Sequence, residues 1–332
     1  MNTKYTKIGV FFWEDSKFHA FNFGYRKVKS GYIVFPLFPQ FCKKNNMKII
    51  VTGSLGNISK PLSQQLVKAG HAVTIISSNV EKQNEIAALG AKAAIGKLED
   101  VHFLTQTFMG ADAAYCMIPF DFKEPDQAKY FQKIADSYIQ AIKAAGIKKV
   151  VLLSGWAADI VESQHTGEIV RQLAGVAVAE LRPGSFYTNF YGYIGMIKET
   201  GAIMANYGGE DKIAFVSPED IATAAFEELT TPFLGNKVRY VASEELTCNE
   251  AAETLGAAID KPTLKWIVIT DEQMLGGLIN AGIPLQLAKD LVTMQAATHR
   301  GDVYNNYLRN RPVLGKVKLK DFAKSFAAAY HQ

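Results

Sequence analysis

From residue 47 onward the chain repeats one pattern: a short apolar run, a turn, then a longer stretch whose apolar positions recur at helical spacing. "KIIVTG" (48–53) is a β-branched run ended by glycine. "PLSQQLVKAG" (61–70) has amphipathic spacing closed by Gly70, and "HAVTIISSN" (71–79) is apolar again. The spacing predicts strand, helix, strand. It continues with a helix near 81–89, a strand at "AKAAIG" (91–96), a helix near 100–109, a strand at "DAAYCMIP" (112–119), a long helix near 126–145 and a strand at "KKVVLLSG" (148–155). Strands that alternate with helices of this length need a parallel sheet covered on both faces. The fold class predicted is therefore α/β: a Rossmann-type doubly wound parallel sheet with a smaller C-terminal α/β portion.

Residues 1–46 break the pattern. They hold twelve aromatics, among them Phe11, Phe12, Trp13, Phe35, Phe38 and Phe41, without clear helical or strand periodicity. No apolar run approaches the roughly 20 residues of a membrane helix. "IGVFFW" ends in Glu14 and Asp15 and lacks a small-residue cleavage site, so it makes a poor signal peptide. The reading is that Met47 is the functional start and that 1–46 is an aromatic, basic extension outside the fold; the alternative is an arm that docks on the body or on a second subunit. Residues 47–185 are expected to form the dinucleotide-binding core, and 186–332 a substrate-cleft portion with strands returning to it.

Charge and cysteine usage narrow the partners. The net charge of +4 over 332 residues could suggest nucleic acid, but eight of the basic residues lie in 1–46, and the rest of the chain has 28 basic against 30 acidic residues. The body is near-neutral, so no nucleic-acid or membrane partner is expected. Cys42, Cys116 and Cys248 are odd in number and lack metal-ligand spacing, which fits a reducing cytoplasm and no metal.

The chemistry begins at "MKIIVTGSLGNIS" (47–59). After the first strand the chain must turn sharply into a helix while a pyrophosphate approaches the backbone, and Gly53 and Gly56 supply the missing side chains this requires. Gly53, Ser54, Leu55, Gly56, Asn57 and Ile58 are the candidate pyrophosphate residues, because a helix N-terminus offers free N–H groups and a positive dipole end. Ser59 stands at the third glycine position, where looser helix–sheet packing is expected. At the end of the second strand an Asp or Glu would select NAD(H). The sequence has Ser77, Ser78 and Asn79 instead, with Lys82 as the nearest cation, which favours NADP(H) over NAD(H).

With these residues in view, the chain from Met47 to near its end resembles the NmrA-like family, an atypical branch of the short-chain dehydrogenase/reductase superfamily. "VTGSLGNISKPL" is similar to that family's glycine-rich opening, with Ser59 as a departure. "GADAAYCMIP", "LRPGSFYTNF", "FVSPEDIATAAFEEL" and "LKDFAKSFAAAY" resemble later family segments. The resemblance implies a Rossmann domain with a C-terminal portion forming a cleft over the nicotinamide. It places Pro119 and Ser154 beside the dinucleotide, and Trp156, Phe186, Tyr187 and Asn189 around a substrate slot. Members include NAD(P)H-dependent quinone reductases, specialised reductases and proteins that only sense the dinucleotide.

A short-chain dehydrogenase acting on a ketone needs a tyrosine acid with a lysine four residues on. The only Tyr-x-x-x-Lys here is Tyr25–Lys29, upstream of the glycine turn, while Ser154 stands where the superfamily has its catalytic serine. Thr166 occupies the place where some relatives carry a lysine beside the nicotinamide. Ser154 and His165 remain as catalytic candidates. Without the triad, the chemistry left is hydride transfer to a small-molecule electron acceptor that stabilises its own charge, such as a quinone. The alternative is a non-catalytic NADP(H) sensor that reports redox state to a protein partner.

Overall fold

In a computed structural model of the chain, residues 7–14, 17–28, 31–36, 46–121, 124, 126–158 and 166–332 are described. The chain divides into two compact units, Met1–Asn45 and Asn46–Gln332. In the first, β1 (Lys7–Glu14), β2 (Lys17–Val28) and β3 (Gly31–Pro36) form an antiparallel meander, with Lys7 opposite Gly24 and Phe23 opposite Pro36. Periodicity assigned no strands here. Aromatic residues that blur the alternation are themselves good strand formers, so propensity carried a signal that alternation did not.

The second unit opens with β4 (Lys48–Val51), α1 (Ser59–Lys68), β5 (Ala72–Ser77), a 3₁₀ turn (Val80–Lys82), α2 (Gln83–Ala88), β6 (Lys92–Ile95) and α3 (Val101–Phe108). It continues through β7 (Ala113–Cys116), α4 (Gln127–Ala145), β8 (Lys149–Leu153), α5 (Thr166–Gln172) and β9 (Ala177–Pro183). From β4 to β8 the strands and α-helices match the predicted elements; α5 and β9 lie beyond the stretch for which elements were predicted. A smaller portion follows with β10 (Ser185–Phe186), α6 (Ile194–Thr200), β11 (Ala202–Ala205) and β12 (Lys212–Val216), after which α7 (Pro218–Thr230) packs on the main sheet beside α1. Then β13 (Asn236–Val241) returns to the main sheet beside β9. The remaining elements are β14 (Glu244–Thr247), α8 (Cys248–Ala258), β15 (Lys265–Val268), α9 (Asp271–Asn280), α10 (Leu285–His299), α11 (Tyr304–Arg309) and α12 (Leu319–Tyr330).

The main sheet has the order β13-β9-β8-β7-β4-β5-β6, every neighbouring pair parallel. Period-two alternation assigns each side chain to a face. Ile49, Val51, Tyr115, Val151 and Leu181 meet Leu62 and Leu66 of α1 and Ile221, Ala225 and Leu229 of α7. Ile50, Ala114, Cys116, Val150 and Val178 meet Leu104 and Phe108 of α3 and Ile134, Tyr138 and Ile142 of α4. The sheet is thus covered on both sides. A third core, built on Tyr187, Phe190, Phe215, Trp266 and Phe326, holds the C-terminal portion together. Cys116 and Cys248 are buried free thiols, and burial pushes both well above the ordinary thiol range. Among the described residues no helix is long and apolar enough to cross a membrane.

Candidate functional site

Chain order reverses at β4 and β7, whose following helices α1 and α4 lie on opposite faces of the sheet. A crevice opens beyond the C-terminal strand ends at such a point. Thr52 ties the two ends together: its N–H donates to the Tyr115 carbonyl (3.1 Å), and its Oγ1 accepts from the Met117 N–H (2.9 Å). Gly53 follows at φ +89°, and a Cβ there would lie 2.6 Å from Ser59 Oγ and 3.1 Å from the Met117 side chain. Ser54 also takes a positive φ of 54°, held by its N–H to the Ile76 carbonyl (3.0 Å). The Gly56 N–H donates to the Gly53 carbonyl (3.1 Å), close enough that a Cβ on Gly56 would sit 3.0 Å from that oxygen.

This turn delivers the chain into α1 with its donors free. The N–H groups of Leu55, Asn57 and Ile58 make no hydrogen bond to a described residue, and no side chain caps the helix. Gly56 and Asn57 are exposed, whereas the Ile58 side chain is buried in the core and Leu55 packs partly against it. Open N–H groups at a positive dipole end, over a cradle that a Cβ would crowd, fit a pyrophosphate. Ser59 corrects one expectation. Instead of loosening the packing, it is buried and its hydroxyl donates to the Thr52 carbonyl at 2.7 Å, closing the turn from beneath.

The end of β5 is built differently from the expectation that all three residues face the ribose. Ser77 is buried: its Oγ accepts from the Ser54 hydroxyl (2.9 Å) and from the Asn79 N–H (3.2 Å), and its hydroxyl lies 3.3 Å from the Asn79 carbonyl. It braces the two loops against each other. Ser78 and Asn79 are the exposed members, although the Asn79 side chain also accepts from the Glu81 N–H (2.9 Å) at the start of the 3₁₀ turn. Lys82 contacts Glu85 (3.1 Å), and so does Lys60 from the first turn of α1 (2.9 Å). Those two lysines hold the Glu85 carboxyl below the ordinary carboxylate range, Lys60 foremost. The Lys60–Glu85 pair was not legible in the sequence, because 25 positions separate the two residues in the chain.

Beyond β7, β8 and β9 the residues singled out in the sequence fall into separate environments. Pro119 is half-buried at the switch point, just after Met117, whose carbonyl accepts from the buried Tyr138 hydroxyl (2.7 Å). Ser154 is 6% exposed, and its N–H donates to the Leu181 carbonyl (2.8 Å). Trp156 donates its N–H to the Pro183 carbonyl (3.1 Å) and stands edge-to-face with Tyr304 at 4.9 Å between ring centroids. Phe186 packs partly against the α1/α7 core, and Asn189 is exposed. Tyr187 is a correction: with no exposed surface, and stacked on Phe215 and Phe322, it is core rather than the wall of an open slot. His165 lies outside the described residues. Sequence reasoning missed Tyr304, whose buried hydroxyl has no hydrogen-bond partner among the described residues; burial holds that phenol well above its ordinary range.

A parallel sheet in this order, with a glycine turn at its switch point, defines the Rossmann class of α/β proteins. Residues 45–322 match the model of the NmrA-like family, and the chain belongs to that family. An NADPH-dependent quinone oxidoreductase of Escherichia coli, solved with NADPH, superposes with a TM-score of 0.70 at 21% identity, covering 84% of this chain and 99% of that one. A Citrobacter triphenylmethane reductase complexed with NADP(H) gives 0.68 at 22% identity, over 84% and 99% of the two chains. A Staphylococcus aureus protein described as a nucleoside-diphosphate-sugar epimerase gives 0.68 at 18%, over 84% and 100%. In sequence, a UDP-glucose 4-epimerase of Lacticaseibacillus casei is 30% identical over 118 residues, which is 32% of this chain and only 35% of that protein's length.

Proposed function

We propose that the protein is an NADPH-dependent reductase that passes a hydride to a quinone or a similarly activated small molecule. The observation that carries the reading is the glycine turn at the switch point: open N–H groups at Leu55, Asn57 and Ile58 stand beside a β5 end that holds Ser77, Ser78 and Asn79 and no carboxylate. Two of the structural relatives are, by their descriptions, NADPH- or NADP(H)-bound reductases, which points the same way. Bound NADPH would supply the hydride. The chain's own residues would orient it: the turn holds the pyrophosphate, and Ser78, Asn79 and Lys82 lie on the adenosine-ribose side.

The likeness to epimerases does not extend to their chemistry in this reading, since no tyrosine with a lysine four residues on follows Ser154. The acceptor's own ring then carries the negative charge left by the hydride and water supplies the proton, with positioning as the main source of rate. The same absence favours a second reading, a dinucleotide-binding sensor without turnover. NADPH consumption with a panel of quinones, set beside dinucleotide binding followed by fluorescence, separates the two. Binding without consumption of any acceptor sinks the reductase. In the active enzyme, Ser154→Ala is expected to lower kcat by about tenfold or less, about 1.4 kcal/mol, because the serine only orients the acceptor. A loss of roughly 10²–10³-fold with NADPH affinity preserved would instead assign it to oxyanion stabilisation.

A further inference from the structure

We propose that Lys60, Lys82 and Glu85 form a charge clamp that selects the 2′-phosphate of the dinucleotide, with Lys60 as its unrecognised arm and Glu85 as a resident counter-ion that the phosphate replaces. The inference rests on the dinucleotide reading of the glycine turn. Lys60 projects from the first turn of α1, directly after that turn, and Lys82 from the 3₁₀ turn just past the exposed Ser78 and Asn79. The two ammonium groups converge on opposite oxygens of one carboxylate, 2.9 Å from Oε1 and 3.1 Å from Oε2 of Glu85. That arrangement holds two cations around a position already shaped for a small oxyanion.

The charges decide which anion wins. Two ammonium groups and one carboxylate leave a net positive site, whereas a 2′-phosphate brings up to two negative charges and three acceptor oxygens. All three side chains are about two-fifths exposed, so the existing ion pairs are weak and easily exchanged. NADH offers hydroxyls at the same place and gains little from either lysine. The contrasting role is a plain surface staple that joins α1 to α2 and has no preference between nucleotides.

Fluorescence titration of the full chain with NADPH and with NADH distinguishes these. Lys60→Gln is expected to weaken NADPH binding by about tenfold while leaving NADH within about twofold, as the loss of one charge-assisted contact to phosphate requires. Glu85→Gln is expected to tighten NADPH by about threefold, because a competing like charge is removed, again without effect on NADH. Melting temperatures close to wild type confirm that these exposed positions report binding rather than folding. Equal changes for both nucleotides, no change in either, or weaker NADPH binding in Glu85→Gln would overturn the clamp while leaving the glycine turn standing. Wild-type protein that binds neither nucleotide overturns both.

Discussion

Ser59 shows how one residue can replace a glycine without copying it. A hydroxyl fits where the helix passes under the turn only because it can donate to the Thr52 carbonyl, and that bond is buried. Ser59→Ala keeps the volume and strands the carbonyl, which should cost about 1–2 kcal/mol of stability, read as a shift of the urea midpoint at constant m-value. An unchanged midpoint would show that the bond contributes nothing. Gly56 carries the opposite constraint, since its own Cβ would crowd the Gly53 carbonyl, and a branched side chain takes up space through which a phosphate must approach the turn. Gly56→Val is therefore expected to raise the NADPH Kd by about 100-fold or more, on the order of 3 kcal/mol, with far-UV circular dichroism unaltered. Retained affinity would remove this loop from the site.

At the scale of elements, a chain segment outside regular structure fastens the C-terminal portion. Asp220, in the first turn of α7, accepts from the Ser243 hydroxyl (2.6 Å) and from the N–H groups of Lys316 and Val317 (both 3.1 Å). The Leu319 N–H then donates to Glu244 (3.0 Å), which starts α12 over the third core. One carboxylate thus joins a helix of the Rossmann layer to the strap that leads into the last helix. Asp220→Asn keeps the shape but turns one acceptor into a donor facing donors. We expect a loss of about 1–3 kcal/mol, with faster hydrogen exchange at Lys316 and Val317 than in the main sheet. Uniform exchange across both regions would mean that the strap unfolds only with the whole unit. No spacing in the sequence points from Asp220 to partners 96 and 97 residues downstream.

For the whole molecule, the division at Asn45 and Asn46 makes a direct test available. A chain begun at Met47 keeps every strand of the main sheet and all three cores, so it should fold and bind NADPH as the full chain does. Differential scanning calorimetry of both forms checks this. A melting temperature lowered by more than about 5 °C, roughly 1–2 kcal/mol for a unit of this size, would show that residues 1–46 stabilise the rest.

The sequence by itself determined the alternation of strands and helices, and with it the parallel sheet, because burial on two faces demands continuous apolar runs such as "KIIV" and "KVVLL". It also located the glycine turn, since a phosphate-admitting turn has strict local requirements that neighbouring residues must meet. Other assignments depended on contacts that no spacing encodes. Tyr187 and Asn189 are two residues apart, yet one lies in a core and the other is exposed, because only the packing of β12 and α12 decides which side chain is covered. Ser77 looked like a ribose contact and is a brace, since its partner Ser54 arrives from the other loop. Lys60 and Glu85 meet for the same reason: parallel β4 and β5 bring the starts of α1 and α2 together, and charges that are scattered along the chain become partners only when the fold gathers them.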